Sequence, residues 1–412
     1  MEEENRQQEE KIGAGPLGGI RILDLTNVVA GPIATLYLAR CGAEIIKIEN
    51  PRIGGDVNRA AAADGNRCNP RFCTINHNKK SIVLDLASGE GKEIFLKMAE
   101  KADAVVENFR PGVMDRLGLG YETLKKVNPR IVYGSISGFG STDSPYRDRA
   151  AYDVIAQAVS GITMLNGEEG DPPVKIGTSI GDVIAGINLA FAVVTALREA
   201  ERTGKAQRTE VSLVDAMISA TMMDNSAYLN GGTVPKRIGN RYREWSPYGI
   251  YKAKDGWYAL GTGTEEHYRR LAVNVLGHPE LTEDPRCASQ AVRTEHREVT
   301  EEILNAWAAE HTVEEICRIL DKEGIPNARV NTIRDTAEDP HFRDIRGLFP
   351  SYRQPGVGTV RLTDLPLRYY DCELPGIAPA PEMGEQTDEI LKALADCEEE
   401  EIGSLRSRGI VR

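Results

Sequence analysis

Apolar runs of strand length alternate with helical segments along the first half of the chain. The stretches GPIATLYLARCGA (31–43) and GEGKEIFLKMAEKA (89–102) have helical periodicity, and short apolar runs lie on either side of them. Strands that alternate with helices build right-handed βαβ units and a parallel sheet. We therefore predict a Rossmann-like α/β domain whose strands lie near 20–25, 44–49, 81–86, 104–109, 131–140 and 208–213.

The pattern changes after residue 230 and indicates a second unit that begins near Tyr248. Segment 230–247 is rich in Gly, Pro and Arg without periodicity, which is typical of a linker or an exposed loop. The runs GIYKA and WYALGTG flank Asp255-Gly256, a hairpin signal. Helices are predicted around 265–276, 295–310, 312–323 and 385–396, with a capping-box spacing at Thr312 and Glu315. From about residue 339 to the last helix the chain reads as irregular.

The stretch 174–202, VKIGTSIGDVIAGINLAFAVVTALREAER, is the most apolar helix of the chain. A helix that is apolar on nearly every face is expected inside a large domain. Asp182 directly follows Gly181, where this helix meets a glycine-spaced loop. The helix alone leaves two interpretations open: Asp182 is its N-cap, or it is a functional carboxylate that the small glycines allow a ligand to approach.

Composition and charge exclude several classes of partner. The 412 residues are 41% hydrophobic and 27% charged, values typical of a soluble globular protein. A net charge of -12 argues against nucleic acid and anionic membranes as partners. We find no apolar run of membrane-spanning length and no signal peptide. The seven scattered cysteines suit reduced thiols in a cytoplasm, and the acidic N-terminal residues 1–11 read as a mobile tail.

Familiar catalytic and cofactor motifs are missing from the sequence. The turn TNVVAGP lacks the G-x-G-x-x-G spacing of a dinucleotide site, and no Walker loop is present. In GSISG the residue at the position of a nucleophilic serine is Ile136. None of the six histidines stands in a metal pair or beside a nucleophile, so no metal is expected. What remains is a carboxylate, which can act as a covalent nucleophile in a dry, oriented site.

Several ordered motifs resemble those of the class III CoA-transferase family, which includes formyl-CoA and carnitine-type transferases. They are LGGIRILDLTNVVAGP, AEIIKIENP, NHNKKSIVLDLASGEGKE, ENFRPGVMDRLGLG and TSIGD, followed by PYGIYKAKDGW, EGIPNARV and EMGEQTDEIL. The resemblance spans nearly the whole chain after the acidic tail. It implies an interlocked homodimer, with a large α/β domain at 1–225 that is completed by a return segment at 336–412. A linker and a small, inserted α+β domain would occupy 226–335.

The resemblance also implies a mechanism and a set of site residues. Asp182 would attack an acyl-CoA thioester and form an acyl-aspartyl anhydride, which passes to a small carboxylic acid. CoA would be a substrate, with no permanently bound cofactor. The implied CoA contacts are Val28, Val29, Ala30, Leu84, Asn108, Phe109, Arg110, Arg116, Arg149 and Tyr152, and a loop with Gly261 and Gly263 would cover Asp182. For that loop a plain strand-to-helix turn is the other interpretation, and for Arg116 a solvated helix-end arginine.

Two departures from the family pattern bear on this expectation. Formyl-CoA transferases have basic residues where this chain has Asn50 and Ala87, so Arg52 and Arg149 would supply the charge for CoA phosphates instead. The related α-methylacyl-CoA racemases use a His-Asp pair where this chain has Tyr152-Asp153. A phenol with a pKa of about 10 is a poor base at neutral pH, which disfavours a racemase. A non-catalytic CoA-binding protein is the further alternative.

Overall fold

The computed structural model describes residues 14–59 and 69–412, so the predicted acidic tail lies outside the described residues. Contacts divide the chain into two compact units. Within the described residues, the first unit contains 14–59, 69–162, 176–223 and 343–412, and the second contains 163–175 and 224–342. Segment 163–175, which the sequence analysis assigns to the large domain, therefore groups with the second unit.

The first unit is built on a six-stranded parallel sheet, which confirms the predicted α/β class. Its strands are β1 (Arg21–Asp24), β2 (Glu44–Glu49), β3 (Lys80–Val83), β4 (Ala104–Glu107), β5 (Val132–Ser137) and β6 (Gln207–Ser212). They lie in the order β3-β2-β1-β4-β5-β6. The order reverses between β1 and β4, and at such a reversal a ligand is expected to bind between the loops that follow the two strands, at the carboxyl edge of the sheet.

The helices can be given in chain order. They are α1 (Ala30–Arg40), α2 (Pro70–Asn76), α3 (Gly89–Glu100), α4 (Val113–Leu117), α5 (Tyr121–Val127), α6 (Asp153–Ser160), α7 (Ile180–Thr203), α8 (Leu213–Ala220), α9 (Met222–Gly231), α10 (Glu265–Arg270), α11 (Gln290–Glu295), α12 (Arg297–Glu310), α13 (Val313–Lys322), α14 (Ile333–Glu338), α15 (Thr387–Ala395) and α16 (Glu399–Ser407).

Apolar cores cover both faces of the sheet. Because successive strand residues point to opposite faces, Leu23 joins the core beneath α3, α15 and α16, whereas Ile22 joins the core beneath α1, α7 and α8. The carboxyl-terminal segment is part of the first unit, since Leu84 forms a bridge with Val411 and the Asp85 N–H donates to the Ile410 carbonyl (2.9 Å).

Helix α7 is less enclosed than its sequence indicates. Leu189 and Val193 are fully buried, and the lack of a side chain at Gly134 lets α7 approach β5 closely. Phe191, however, is 70% exposed. The expectation that the helix is buried on nearly every face is therefore wrong for the single chain, because the sheet, α1 and α8 cover only one side of it.

Two expectations from composition also need correction. By length and composition alone α7 could cross a membrane, which overturns the statement that no apolar run is long enough. This is weak evidence for a membrane span, since core helices of soluble proteins pass the same test. Cys73 is disulfide-bonded, so the expectation of reduced thiols fails at that buried residue, whereas Cys41, Cys287, Cys317, Cys372 and Cys397 are free.

The second unit has its own antiparallel sheet of β7 (Tyr248–Lys252), β8 (Trp257–Gly261) and β9 (Asn327–Arg329), in that order. The predicted β7–β8 hairpin and the capping box of α13 at Thr312 and Glu315 are confirmed. In the first unit, the segment predicted to be irregular contains a further hairpin of β10 (Ser351–Gln354) and β11 (Gly358–Arg361).

Candidate active site

The loops that follow β1 and β4 are held together at the reversal point of the sheet. Asn27 lies in the loop after β1, and Asn108 directly follows β4. The side-chain amide of Asn108 binds both backbone polar groups of Asn27, as a neighbouring strand would. Its Oδ1 accepts a hydrogen bond from the Asn27 N–H (2.8 Å), and its Nδ2 donates to the Asn27 carbonyl (2.6 Å). Asn108 was predicted as a CoA contact, and the structure shows that its amide supports the first loop from within.

The turn between β1 and α1 leads into Ala30, the first residue of α1, which lies directly against α7. Val28 in this turn has a positive φ of 73° and an exposed side chain, whereas Val29 is half-buried and Ala30 is buried. A Cβ atom on Gly186 would lie 2.7 Å from the Ala30 carbonyl oxygen, so only glycine fits there without a shift. Gly186 follows Asp182 by one helical turn, which places the β1–α1 turn beside the start of α7.

Asp182 lies in the first turn of α7, and it is the third residue of the helix. Since Ser179 occupies the N-cap position, the interpretation of Asp182 as the N-cap is wrong. The carboxylate is half-buried, and it accepts no hydrogen bond from the described residues. Burial, with a smaller contribution from the nearby carboxylate of Asp153, raises the pKa of Asp182 to about 6. At neutral pH the group is therefore mostly ionised yet more basic than an ordinary aspartate.

A hydrogen-bond chain from α6 fixes the segment that enters α7. Asp153 accepts the Gly181 N–H through Oδ1 (2.7 Å) and the Gln157 side chain through Oδ2 (2.7 Å). Gln157 is fully buried, and its Oε1 accepts the N–H of Ile176 (2.8 Å). The sequence analysis considered Asp153 only as part of a racemase pair. The spacing of four residues between Asp153 and Gln157, which places both on one helix face, was the available signal.

Three predicted basic residues are free to meet an anion. Arg110, Arg116 and Arg149 are exposed, and none forms an ion pair within the described part of the chain. The Arg149 guanidinium carbon lies 5.5 Å and 5.0 Å from the ring centroids of Phe139 and Tyr146, which are stacked on one another. Unpaired guanidinium groups are suited to binding phosphate.

Arg52 does not supply free charge, contrary to expectation. Its guanidinium makes a bidentate contact with the Asp85 carboxylate, at 2.7 Å for the closest pair of atoms. This pairing holds the pKa of Asp85 below its usual range, with burial opposing the effect. The positive charge of Arg52 is therefore largely compensated.

The remaining predicted contacts separate into different environments. The side chain of Leu84 is fully buried in the core, so only its backbone is available to a ligand, and its contact with CoA stays a prediction. Phe109 is half-buried and packs against the same core, whereas Tyr152, the N-cap of α6, is 72% exposed.

The glycine loop belongs to the second unit. Gly261 ends β8, and Gly263 lies in the turn to α10, where the Thr264 hydroxyl caps the helix by accepting the His267 N–H (3.1 Å). The segment is therefore a strand-to-helix turn, as the second interpretation stated, and its covering of Asp182 stays a prediction. Within residues 14–59 and 69–412, no three His, Cys, Asp or Glu side chains form a candidate metal-ligand group.

These features define an α/β protein whose strand order reverses between β1 and β4 and whose helix α7 begins with a half-buried carboxyl group of raised pKa. The model of CoA-transferase family III matches residues 17–387. The chain belongs to this family and is a CoA-transferase.

Individual relatives match along almost their whole length. The chain is 32% identical to the mouse (Mus musculus) succinyl-CoA:glutarate CoA-transferase over 406 residues, which cover 98% of this chain and 92% of the relative. It is 35% identical to the alpha subunit of succinyl-CoA–L-malate CoA-transferase of Chloroflexus aurantiacus, with 96% and 92% covered. The crystal structure of a CaiB/BaiF family protein from Brucella suis has a TM-score of 0.81 at 33% identity, with 92% of this chain and 100% of that chain covered.

Proposed function

We propose that this protein moves CoA from an acyl-CoA donor to a small carboxylic acid through an acyl anhydride on Asp182. The observation that carries the proposal is the state of the Asp182 carboxylate. It is half-buried, takes no hydrogen bond from the described residues, and has a pKa raised to about 6 by burial and by Asp153. Its lone pairs are therefore available to form a covalent bond.

The proposed reaction begins when a carboxylate oxygen of Asp182 bonds to the thioester carbon. The C–S bond breaks, CoA leaves as the thiolate, and an acyl-aspartyl anhydride remains. The incoming carboxylate then takes the acyl group, which regenerates Asp182. The retained thiolate attacks the carbonyl carbon of the acceptor, and the donor acid leaves as a carboxylate. No metal or external proton is needed in this sequence of steps.

The surroundings of Asp182 support these steps. Asp182 lies in the first turn of α7, so the negative charge that develops on the thioester oxygen during its attack would lie near the positive end of the helix dipole. The apolar helix and the start of α1, which lies against Gly186, limit the access of water to an anhydride. The unpaired guanidinium groups of Arg110, Arg116 and Arg149 suit the phosphates of CoA.

We further propose that the substrates are short dicarboxylic acids. The relatives described above are named for succinyl-CoA as donor and for glutarate or L-malate as acceptor. Their identity with this chain extends over nearly its whole length. A panel of dicarboxylates and monocarboxylates with succinyl-CoA as donor tests this, with each acyl-CoA product measured by mass spectrometry. A uniform preference for monocarboxylates would contradict the proposal.

Substitution of the nucleophile tests the mechanism. The variant Asp182→Ala should lose at least about 10⁴-fold in turnover, since no other carboxylate would form the anhydride. Asp215→Ala is the matched control, because Asp215 is also the third residue of its helix, α8, yet is exposed. The control should retain normal turnover. If Asp182→Ala folds normally and retains wild-type rates, the proposed mechanism fails.

We propose that a second copy of the chain covers the exposed side of α7. Ile187, Phe191 and Val194 form one exposed apolar stripe on this helix, at the spacing of successive turns. Such stripes mark interfaces in folded proteins. The variant Phe191→Asp should shift the mass measured by light scattering from dimer to monomer. A wild-type protein that is monomeric at all concentrations would refute this part of the proposal.

A further inference from the structure

Val28 has a backbone conformation that its side chain disfavours. Among the described residues, only three that are not glycine have a positive φ: Val28, Asn78 and Asp396. Asn and Asp tolerate this region, whereas for a β-branched residue it is a genuine outlier. Such strain persists only where the surrounding structure enforces it, and it concentrates at functional sites.

Two side chains from the segment after β2 hold the Val28 peptide groups. Asp56 accepts a long hydrogen bond from the Val28 N–H through Oδ1 (3.4 Å). The side-chain Nδ2 of Asn58 donates a hydrogen bond to the Val28 carbonyl. The Asn58 N–H also donates to Oδ1 of Asp56 (2.9 Å), so the two residues form one unit around Val28.

Two buried ion pairs lie beside the turn: one holds Asp56, and both hold the backbone of Thr26. Lys47 Nζ lies 3.0 Å from Asp56 Oδ2 and donates to the Thr26 carbonyl (2.6 Å). Lys79 Nζ lies 3.2 Å from Asp24 Oδ2, and Asp24 Oδ1 accepts the Thr26 N–H (2.9 Å). All four charged side chains are buried. Because the desolvation of buried ion pairs offsets their attraction, they are weak evidence for a role in stability alone. Their contacts with the turn indicate a role in its conformation.

The turn held in this way leads into the residue that contacts α7, the helix of the proposed nucleophile. The carbonyl of Ala30, two residues after Val28, packs against Gly186, one turn after Asp182. A change in the Val28 peptide would therefore move backbone groups that lie beside the first turns of α7, where Asp182 is.

We propose that Asp56 and Asn58 are positioning residues, which hold Val28 in its left-handed conformation and so align the β1–α1 turn on the acyl-CoA. This inference rests on the proposed function of this region as the CoA site. Neither residue takes part in the chemistry. The buried Lys47 orients Asp56, which binds the Val28 N–H. The half-buried Asn58 binds the Val28 carbonyl.

Asn58→Ala is the informative variant, since removal of Asp56 would leave Lys47 buried without its counter-ion and could prevent folding. The dissociation constant of CoA, measured by calorimetry, should rise about fivefold, the effect of one lost neutral hydrogen bond. The concentration of succinyl-CoA that half-saturates acylation should rise by the same factor, with the limiting rate changed less than twofold. Asn274→Ala is the matched control, because this exposed asparagine donates one hydrogen bond to Glu323 (2.7 Å) in the second unit. It should leave both constants unchanged.

A second substitution separates positioning from a general structural role. Glycine adopts a positive φ without strain, so in a Val28→Gly background the further change Asn58→Ala should alter CoA binding less than twofold. An equal fivefold loss in both backgrounds, or normal CoA binding by a folded Asn58→Ala variant, would overturn the inference. If the wild type binds CoA but is never acylated, the proposed nucleophile fails, and the CoA dissociation constants still decide the positioning role.

Discussion

Replacement of Asp182 by asparagine should stabilise the folded protein while it removes the proposed nucleophile. Burial and the Asp153 carboxylate raise the pKa of Asp182 from 3.8 to about 6. At about 1.4 kcal/mol for each tenfold change in proton affinity, this difference corresponds to a cost of roughly 3 kcal/mol for the ionised group. Because Asp182 is only half-buried, solvent screening reduces the expected gain in Asp182→Asn to about 1–2 kcal/mol.

The gain should depend on pH in a defined direction. The folded protein holds the Asp182 proton more tightly than the unfolded chain does. The contribution of this group to stability is therefore present in full at low pH and is lost as the pH rises through about 6. Asparagine carries no charge at any of these pH values. The advantage of Asp182→Asn should thus be largest at pH 8, and it should shrink as the pH falls from 6 toward 4.

Thermal melting at pH 8 and at pH 5 measures this effect. At pH 8 the Asp182→Asn variant should melt about 2–4 °C above the wild type, and at pH 5 the difference should be clearly smaller. Asp215→Asn is the control, since Asp215 has the same helical position but is exposed. Equal melting temperatures at pH 8, or an advantage that does not change with pH, would refute the assigned electrostatics of Asp182.

Three further substitutions test other parts of the site. Asp153→Asn removes the negative charge beside Asp182, so the pKa of Asp182 should fall and the acid limb of the turnover profile should move to lower pH. Arg116→Ala should raise the KM for acyl-CoA about tenfold at low salt and less at high salt, whereas Arg116→Lys should retain part of the affinity. Gly186→Ala should destabilise the protein by about 1–3 kcal/mol, because its new Cβ would lie 2.7 Å from a backbone oxygen. The control Gly403→Ala, also in a helix, should not destabilise, since nothing lies within 4 Å of its Cβ position.

Each of these expectations has a contradicting result. An acid limb that stays in place in Asp153→Asn would show that the Asp153 charge does not act on the nucleophile. A KM in Arg116→Ala that equals the wild-type value would show that this guanidinium stays solvated and does not bind CoA. Equal denaturation midpoints for the two glycine variants would mean that the Ala30 backbone moves away from the new Cβ atom without loss of stability.

The sequence predicts the sheet well because strands β1 to β5 are buried on both faces. Such strands appear as short apolar runs, and EIIKIE matches the bounds of β2 without error. The β10–β11 hairpin was missed because SYRQ and GTVR are mostly polar. Helix α16 was also missed, since only Ile402 and Leu405 are buried in a segment that is otherwise rich in acidic residues.

Residues of the candidate site could be predicted where they belong to one continuous segment. Contacts between segments that only folding brings together could not. The position of Asp182 at the start of a long helix was predicted from one apolar segment, and its role stays a proposal. The burial of the Leu84 side chain could not be read from the sequence, because only tertiary packing shows that it turns into the core. The hydrogen bond between Asp153 and Gly181 joins positions 28 residues apart, so it could not be predicted from a local sequence pattern.

The most direct test of the account is the mass of the wild-type protein after mixing with succinyl-CoA in the absence of an acceptor acid. We expect one equivalent of free CoA thiol to be detected after denaturation and one succinyl group to be attached, with peptide mapping that places the added mass on Asp182. Rapid CoA transfer to an added acid without any adduct, or an adduct on a different residue, would contradict the account.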